Sequence, residues 1–307
     1  MDQPLYNRRL IQIQKCIDMK KIFIATDFSP ASHTAAVYGM QLARAMQAAV
    51  ILFSAYEVSH PTGALNVQAS RLAAMEETKK RLADEADRLV AGNGGQLEIV
   101  CEEGVPAAAI LAVAKEKSAD LLVVGMTGGG NRLKKLFGST ATSLVNHLKM
   151  PLIVVPAGAN FTSPKNVLYV SDVFLDTIIS GIDQMKWLTD FFGTKLFVVR
   201  VVKNSYEEVL ESVNTPQNLR KELKAMKASF SFPVNENIAD GLEEFISEQT
   251  VDLMVMVPHK HEWLERLFVK SKTEDTAFHT HTPILMLPDT AGDAVNTAPV
   301  QMIANYN

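Results

Sequence analysis

The sequence predicts an α/β protein of two tandem doubly wound domains, each a parallel sheet with helices on both faces. Three observations predict it. Short apolar segments alternate with longer helix-periodic ones, the pattern of crossovers that lay strands side by side in parallel. The strand segments are near-continuous apolar runs, as strands covered on both faces must be. The pattern also restarts: Val167 to Asp172 repeats Ile22 to Asp27 at an offset of 145, while Val251 to Met256 and Pro283 to Pro288 repeat Ala119 to Val124 and Pro151 to Pro156 at 132. The second copy is thus about 13 residues shorter in its middle.

In chain order, residues 1–18 have no clear period and read as an N-terminal extension, or as an upstream start chosen over Met19. The first domain spans 19–158. Ile22 to Ala25 is a strand, Thr26-Asp27-Phe28-Ser29-Pro30 the turn at its carboxyl end, and Ser32 to Met46 a helix with Ala36, Met40 and Ala43 on its apolar face. Val50 to Ala55 is the second strand. A charged helix over Gln68 to Val90 stops at the glycines around 92–95, and Gln96 to Cys101 is the third strand. A helix over Ala107 to Lys117 leads to the strand Leu121 to Val124. Ala157 to Pro164 is a connector, the second domain spans 165–288 with Leu196 to Val202 as its second strand, and 289–307 is a tail of little periodicity.

The bulk properties bound the function. The chain has 307 residues, 47% hydrophobic and 21% charged, an ordinary globular composition with ample core. A net charge of −4 gives no electrostatic reason to expect nucleic acid or an anionic membrane as partner. No apolar run approaches the roughly 20 residues of a membrane span. With no charged-then-apolar leader and only Cys16 and Cys101, in no metal-type spacing, a cytoplasmic protein with two inert thiols is expected.

The most informative stretch is Asp120 to Pro156. Its buried strand ends on Gly125, Gly128 follows after two residues, and after nine more comes Gly138 with Ser139 and Thr140. Glycines let a backbone come close to a ligand. Ala141, Leu144, Val145 and Leu148 share a helical face, so Ser139 and Thr140 fall in a first turn whose N–H groups and dipole suit phosphate. A plain connection needs only about 2 to 6 residues. No Gly-x4-Gly-Lys-Ser/Thr is present, and no Gly-x-Gly-x2-Gly opens a helix after the first strand.

This Gly-x2-Gly-x9-Gly-Ser spacing resembles the nucleotide loop of the universal stress protein family, in its ATP-binding branch. The resemblance implies a Rossmann-like fold, akin to the adenine nucleotide alpha hydrolases, with ATP or ADP bound with or without Mg2+. It implies nucleotide contact by Thr26, Asp27, Ala55 (against the adenine), Val124, Gly125, Thr127, Gly128, Arg132, Gly138, Ser139 and Thr140. It also implies pairing of the two domains through their last strands, Leu152 to Val155 against Ile284 to Leu287, and a further homodimer. For Asp27, position at a strand's carboxyl end points to the crevice of an open α/β sheet, though a turn carboxylate would sit there too.

The second copy departs from the pattern. At the positions of Gly125, Gly128 and Gly138-Ser139 it has Val257, Lys260 and Val269-Lys270-Ser271, with a length change of one, so it is not expected to bind ATP this way. Asp172 persists. His259 and His261, with His279 and His281, read as solvated loop histidines, since the two pairs fall at opposite sheet edges; a metal or anion role for the first pair is the alternative. Between Gly125 and Thr140 there is no Asp, Glu or His to act as base or hold magnesium. Arg132, Lys134 and Lys135 either complement phosphate or form a solvated basic loop. The expectation is a nucleotide-dependent stress-response or regulatory binding protein with at most slow hydrolysis. The alternatives are a scaffold that binds no nucleotide, or an ATP-dependent enzyme of the same superfamily, against which the absence of a His-x-Gly-His or Ser-Gly-Gly-x-Asp-Ser loop after the first strand argues.

Overall fold

The computed structural model describes residues 20–58, 67–126, 138–170, 176–204, 221, 223–258 and 281–288, apart from the side chains of 176–181 and 183. The first half runs β1 (Lys21–Ala25), α1 (Pro30–Met46), β2 (Ala49–Tyr56), α2 (Val67–Asn93), β3 (Leu97–Glu103), α3 (Pro106–Glu116), β4 (Leu121–Gly125), α4 (Gly138–Asn146) and β5 (Leu152–Val155). The second half runs β6 (Asn166–Val170), α5 (Asp176–Phe192), β7 (Lys195–Val199), β8 (Ser229–Ser231), α6 (Ile238–Glu248), β9 (Leu253–Met256) and β10 (Ile284–Met286). These strands form a ten-stranded sheet in the order β3-β2-β1-β4-β5-β10-β9-β6-β7-β8. The fold is α/β and Rossmann-like.

Each central strand is buried end to end, yet its residues still alternate between two cores. Ile22, Ile24, Leu121, Val123, Tyr169 and Val255 join α1, α2 and α5 on one face. Phe23, Leu122, Val154, Leu168 and Met254 join α3, α4 and α6 on the other. Both cores draw residues from both halves. Among the described residues no helix is long and apolar enough to cross a membrane.

The halves repeat each other in register. Ile22 faces Leu121 across β1 and β4, and Val167 faces Leu253 across β6 and β9, displaced by 145 and 132 residues. Asp120 Oδ2 accepts hydrogen bonds from the N–H groups of Lys20 and Lys21 at 3.0 and 3.1 Å. Asp252 Oδ2 does the same for Lys165 and Asn166 at 2.8 and 2.9 Å, so one carboxylate ties down each first strand.

All neighbouring strands are parallel except β5 and β10, which run antiparallel with Ile284 opposite Val154, Leu285 opposite Ile153 and Met286 opposite Leu152. Ile153 and Leu285 occupy the same place in their respective halves, so a local two-fold relation passes between them, as in an isologous contact. This is the pairing expected of the two proline-bounded segments.

Two helices differ from the sequence reading. Helix α1 begins at Pro30 rather than Ser32, because Ser29 is the N-cap: its hydroxyl accepts from the Ser32 N–H at 3.2 Å, and Pro30 fills a first-turn position that needs no donor. Helix α2 reaches Asn93 and stops at Gly94 and Gly95, both at positive φ. After the first strand the offset between the halves grows by one, from 145 at β1 and β6 to 146 at β2 and β7, where Lys21 faces Ala49 and Asn166 faces Lys195.

Candidate functional site

From β1 the chain winds outward through β2 to β3, then returns to place β4 on the other side of β1. Crossovers leave in opposite directions at this switch point, and the crevice beyond the carboxyl ends of β1 and β4 is where such sheets take ligands. The 26–29 turn, Gly125 and the start of α4 all follow these strand ends or the loop that continues from them.

The turn after β1 is tightly bonded within itself. The buried Thr26 hydroxyl lies 3.0 Å from the Ser32 hydroxyl and accepts from the Phe28 N–H at 3.0 Å, so it is committed to the turn. Its N–H donates to the Phe53 carbonyl of β2 at 2.8 Å. Asp27 points out, exposed, and its Oδ1 accepts from the Ser29 N–H at 3.0 Å. Partial desolvation is the largest single influence on Asp27 and works against ionisation. Hydrogen bonding from the Ser29 hydroxyl and N–H and from Ser32 together outweighs it, holding the carboxyl below the ordinary aspartate range.

Phe28 adopts a left-handed backbone, φ 64°, unusual for a bulky residue, and the guanidinium of Arg81 from α2 sits 4.1 Å above its ring centre. A second tie joins α2 to α1. Glu85 of α2 is almost wholly buried, with Oε1 2.6 Å from His33 Nδ1 of α1 and Oε2 2.7 Å from a guanidinium nitrogen of Arg88. A buried carboxylate requires such partners. Thus α2 braces both the turn that carries Asp27 and the helix that follows it.

On the β4 side, the Val124 side chain is buried in the core beneath α3 and α4, so it offers the crevice only main chain. Gly125 has no room on its helix-facing side: a Cβ there would lie 2.6 Å from the Ala31 carbonyl oxygen and 2.8 Å from the Ser32 nitrogen. The missing side chain is thus taken up by the first turn of α1. Gly138 opens α4 at φ 71°, a conformation that favours glycine, and its carbonyl accepts from the Thr142 hydroxyl at 2.8 Å. Ser139 is exposed in the first turn and Thr140 half-buried, with no acidic residue in the helix. Ala55, half-buried, sits near the end of β2. Thr127, Gly128 and Arg132 lie outside the described residues, as do Lys134, Lys135, Lys260, the 269–271 segment, Asp172, His259, His261 and His279.

A recess of about 550 Å³ lies between the C-terminal turns of α1 and α2, lined by Met40, Ala43, Arg44, Asn93 and Gly95 among others. It is bounded by helix ends whose dipoles repel anions, so it is the poorer place for a phosphate. Among the described residues no group of three or more His, Cys, Asp and Glu could hold a metal ion.

With this geometry in hand, comparison with known proteins is informative. The sequence profile of the universal stress protein family matches residues 19–156. A universal stress protein of Methanocaldococcus jannaschii is 30% identical over 138 residues, which span 44% of this chain and 81% of that protein. The chain belongs to the universal stress protein family. The fold likeness extends across both halves. A universal stress protein from Archaeoglobus fulgidus DSM 4304 superposes over 89% of this chain and 99% of its own, with TM-score 0.66 and 13% identity. A functionally unknown protein from Pseudomonas aeruginosa PAO1 superposes over 89% and 94%, with TM-score 0.52 and 12% identity. At such identities the likeness concerns the fold alone.

The sequence reading missed the partners of the turn: Ser29 as cap, Ser32 as the second hydroxyl, and Arg81, His33 and Glu85 as braces. A Ser-Pro pair just ahead of an apolar period is a helix-start signal and could have revealed the first of these. Arg81 and Glu85 reach partners, Phe28 and His33, more than fifty positions earlier.

Proposed function

We propose that this universal stress protein binds ATP or ADP in the crevice of its first half, and that occupancy there alters a surface read by a partner in a cytoplasmic stress response. One observation carries the reading. The turn bearing Asp27, the end of β4 at Gly125 and the left-handed Gly138 opening α4 all belong to the carboxyl side of the β1/β4 switch point. The residues suit such a ligand: the exposed Ser139 and the free N–H groups of the α4 first turn would receive a phosphate, while Asp27 would accept from a hydroxyl or amine. With no acidic residue in the 125–140 segment, the site favours holding the nucleotide over cleaving it. In this reading residues 19–158 and 165–288 are tandem domains, the second having lost the site, and whole chains associate again as homodimers.

The test begins with mass spectrometry of gently purified protein, in which ATP or ADP should appear. Titration calorimetry should then show ATP binding that Gly138→Val abolishes, because a β-branched residue is strained at φ 71°. Absence of bound nucleotide together with no calorimetric signal would leave a scaffold as the reading.

A further inference from the structure

We infer that Gly125 is a positioning residue that seats the first turn of α1, and with it Asp27, against β4, and that the extra residue after β6 is what accommodates Val257 in the second half. The inference rests on the nucleotide reading of the crevice for its functional part only.

The contact is one that cannot give way easily. A Cβ at 125 would meet main-chain atoms at 2.6, 2.7 and 2.8 Å, closer than real Cβ atoms come. Those atoms belong to Ala31 and Ser32, in a turn pinned by the Ser29 cap and the Thr26–Ser32 hydroxyl pair. A side chain at 125 therefore displaces the turn as a block, and Asp27, bonded to Ser29, travels with it. Gly39 provides the contrast. Its Cβ would also be crowded, but by Cδ1 of Ile24 at 2.7 Å, a side-chain tip away from the turn.

The second half shows the alternative packing of the same scaffold. Its β6 and β9 keep the register of β1 and β4, but at the place of Gly125 stands Val257, 1% exposed. The stretch from its first strand to its second is one residue longer, 29 positions from Asn166 to Lys195 against 28 from Lys21 to Ala49. In the first half the four-residue connection holds Phe28 at positive φ. Phe28 at positive φ and bare Gly125 form one device that draws the helix down; the added residue and the valine form its counterpart.

The experiment compares the full chain with three variants: Gly125→Ala, Gly39→Ala, and Gly125→Ala carrying one additional glycine between Phe28 and Ser29. Melting temperature, circular dichroism and ATP affinity by calorimetry are read for each. Gly125→Ala should stay folded with a lowered melting temperature and bind ATP roughly tenfold or more weakly. Gly39→Ala should also melt lower, but keep its ATP affinity within about twofold. The added glycine should lower the melting temperature of the parent chain yet raise that of Gly125→Ala, a reversal of sign that marks direct coupling, without restoring ATP affinity. ATP binding by Gly125→Ala equal to the parent overturns the positioning role, and an added glycine that lowers both backgrounds alike overturns the packing role. If the parent chain binds no ATP, the nucleotide reading fails by itself, and the sign of the glycine's effect still decides the packing claim.

Discussion

The two halves of this universal stress protein agree at one edge of the sheet and part at the other. At the amino ends of the strands the same carboxylate ties the same two N–H groups, Asp120 to Lys20 and Lys21, Asp252 to Lys165 and Asn166. At the carboxyl ends Gly125 faces a helix turn that a Cβ would strike, where the second half has a buried valine and one more residue between its first two strands. Register and strand anchoring build the core, which both halves share. The carboxyl edge contributes little to the core, so it can change without unfolding the scaffold, and it is where a ligand site can be made or lost.

The strongest way to break the comparison is at the joint between the halves. Leu285 is 4% exposed and sits opposite its own counterpart, Ile153, with core on the same face from both sides. Leu285→Asp places a carboxylate there without a partner, and a loss of about 4 kcal/mol or more in urea unfolding is expected. The second half, with its three-residue β8 and β10, should become the more protease-sensitive. Stability unchanged by this substitution would mean that the pairing contributes nothing to the fold.

A smaller effect tests the edge on which the halves agree. Asp120→Ala and Asp252→Ala each leave two backbone donors without a charged acceptor, which should cost about 1 to 3 kcal/mol apiece. The comparison requires the two costs to be similar. A cost confined to one half would show that the repeated geometry is not repeated energetics.

The strands of both halves were legible because double-sided burial leaves an unmistakable apolar run, and the β5/β10 joint was expected from the family resemblance, which the prolines bounding two such runs suit. Helix α6 was not singled out, although Asn237 caps it, accepting from the Ala239 N–H at 2.9 Å, and Ala239, Leu242 and Phe245 line its buried face. Strand β8 is an edge of three residues, Ser-Phe-Ser, too short and too polar to carry a pattern. At the site, glycine spacing marks Gly125 and Gly138 but not why each is glycine. Gly138 answers to its own φ, a local property. Gly125 answers to the main chain of Ala31, ninety-four residues earlier, and no local pattern encodes that approach.

The smallest effect asks how far the asymmetry reaches into the turn itself. Asp27 has a carboxyl held below the ordinary aspartate value, so the unfolded chain binds its proton more readily than the folded one. The associated stability is present above that value and is lost as pH falls through the lower folded pKa. Asp27→Asn should therefore lower stability slightly at neutral pH and flatten the acid limb of the stability curve below the ordinary aspartate value; on an exposed carboxylate the change stays below about 1 kcal/mol. Asp172 holds the matching place in the second half. If Asp172→Asn flattens the acid limb equally, the two turns bond alike, and the difference between the halves narrows to Gly125, its valine counterpart and one residue of chain. If only Asp27→Asn does so, the hydroxyl-rich turn of Thr26, Ser29 and Ser32 is itself part of what the second half has lost.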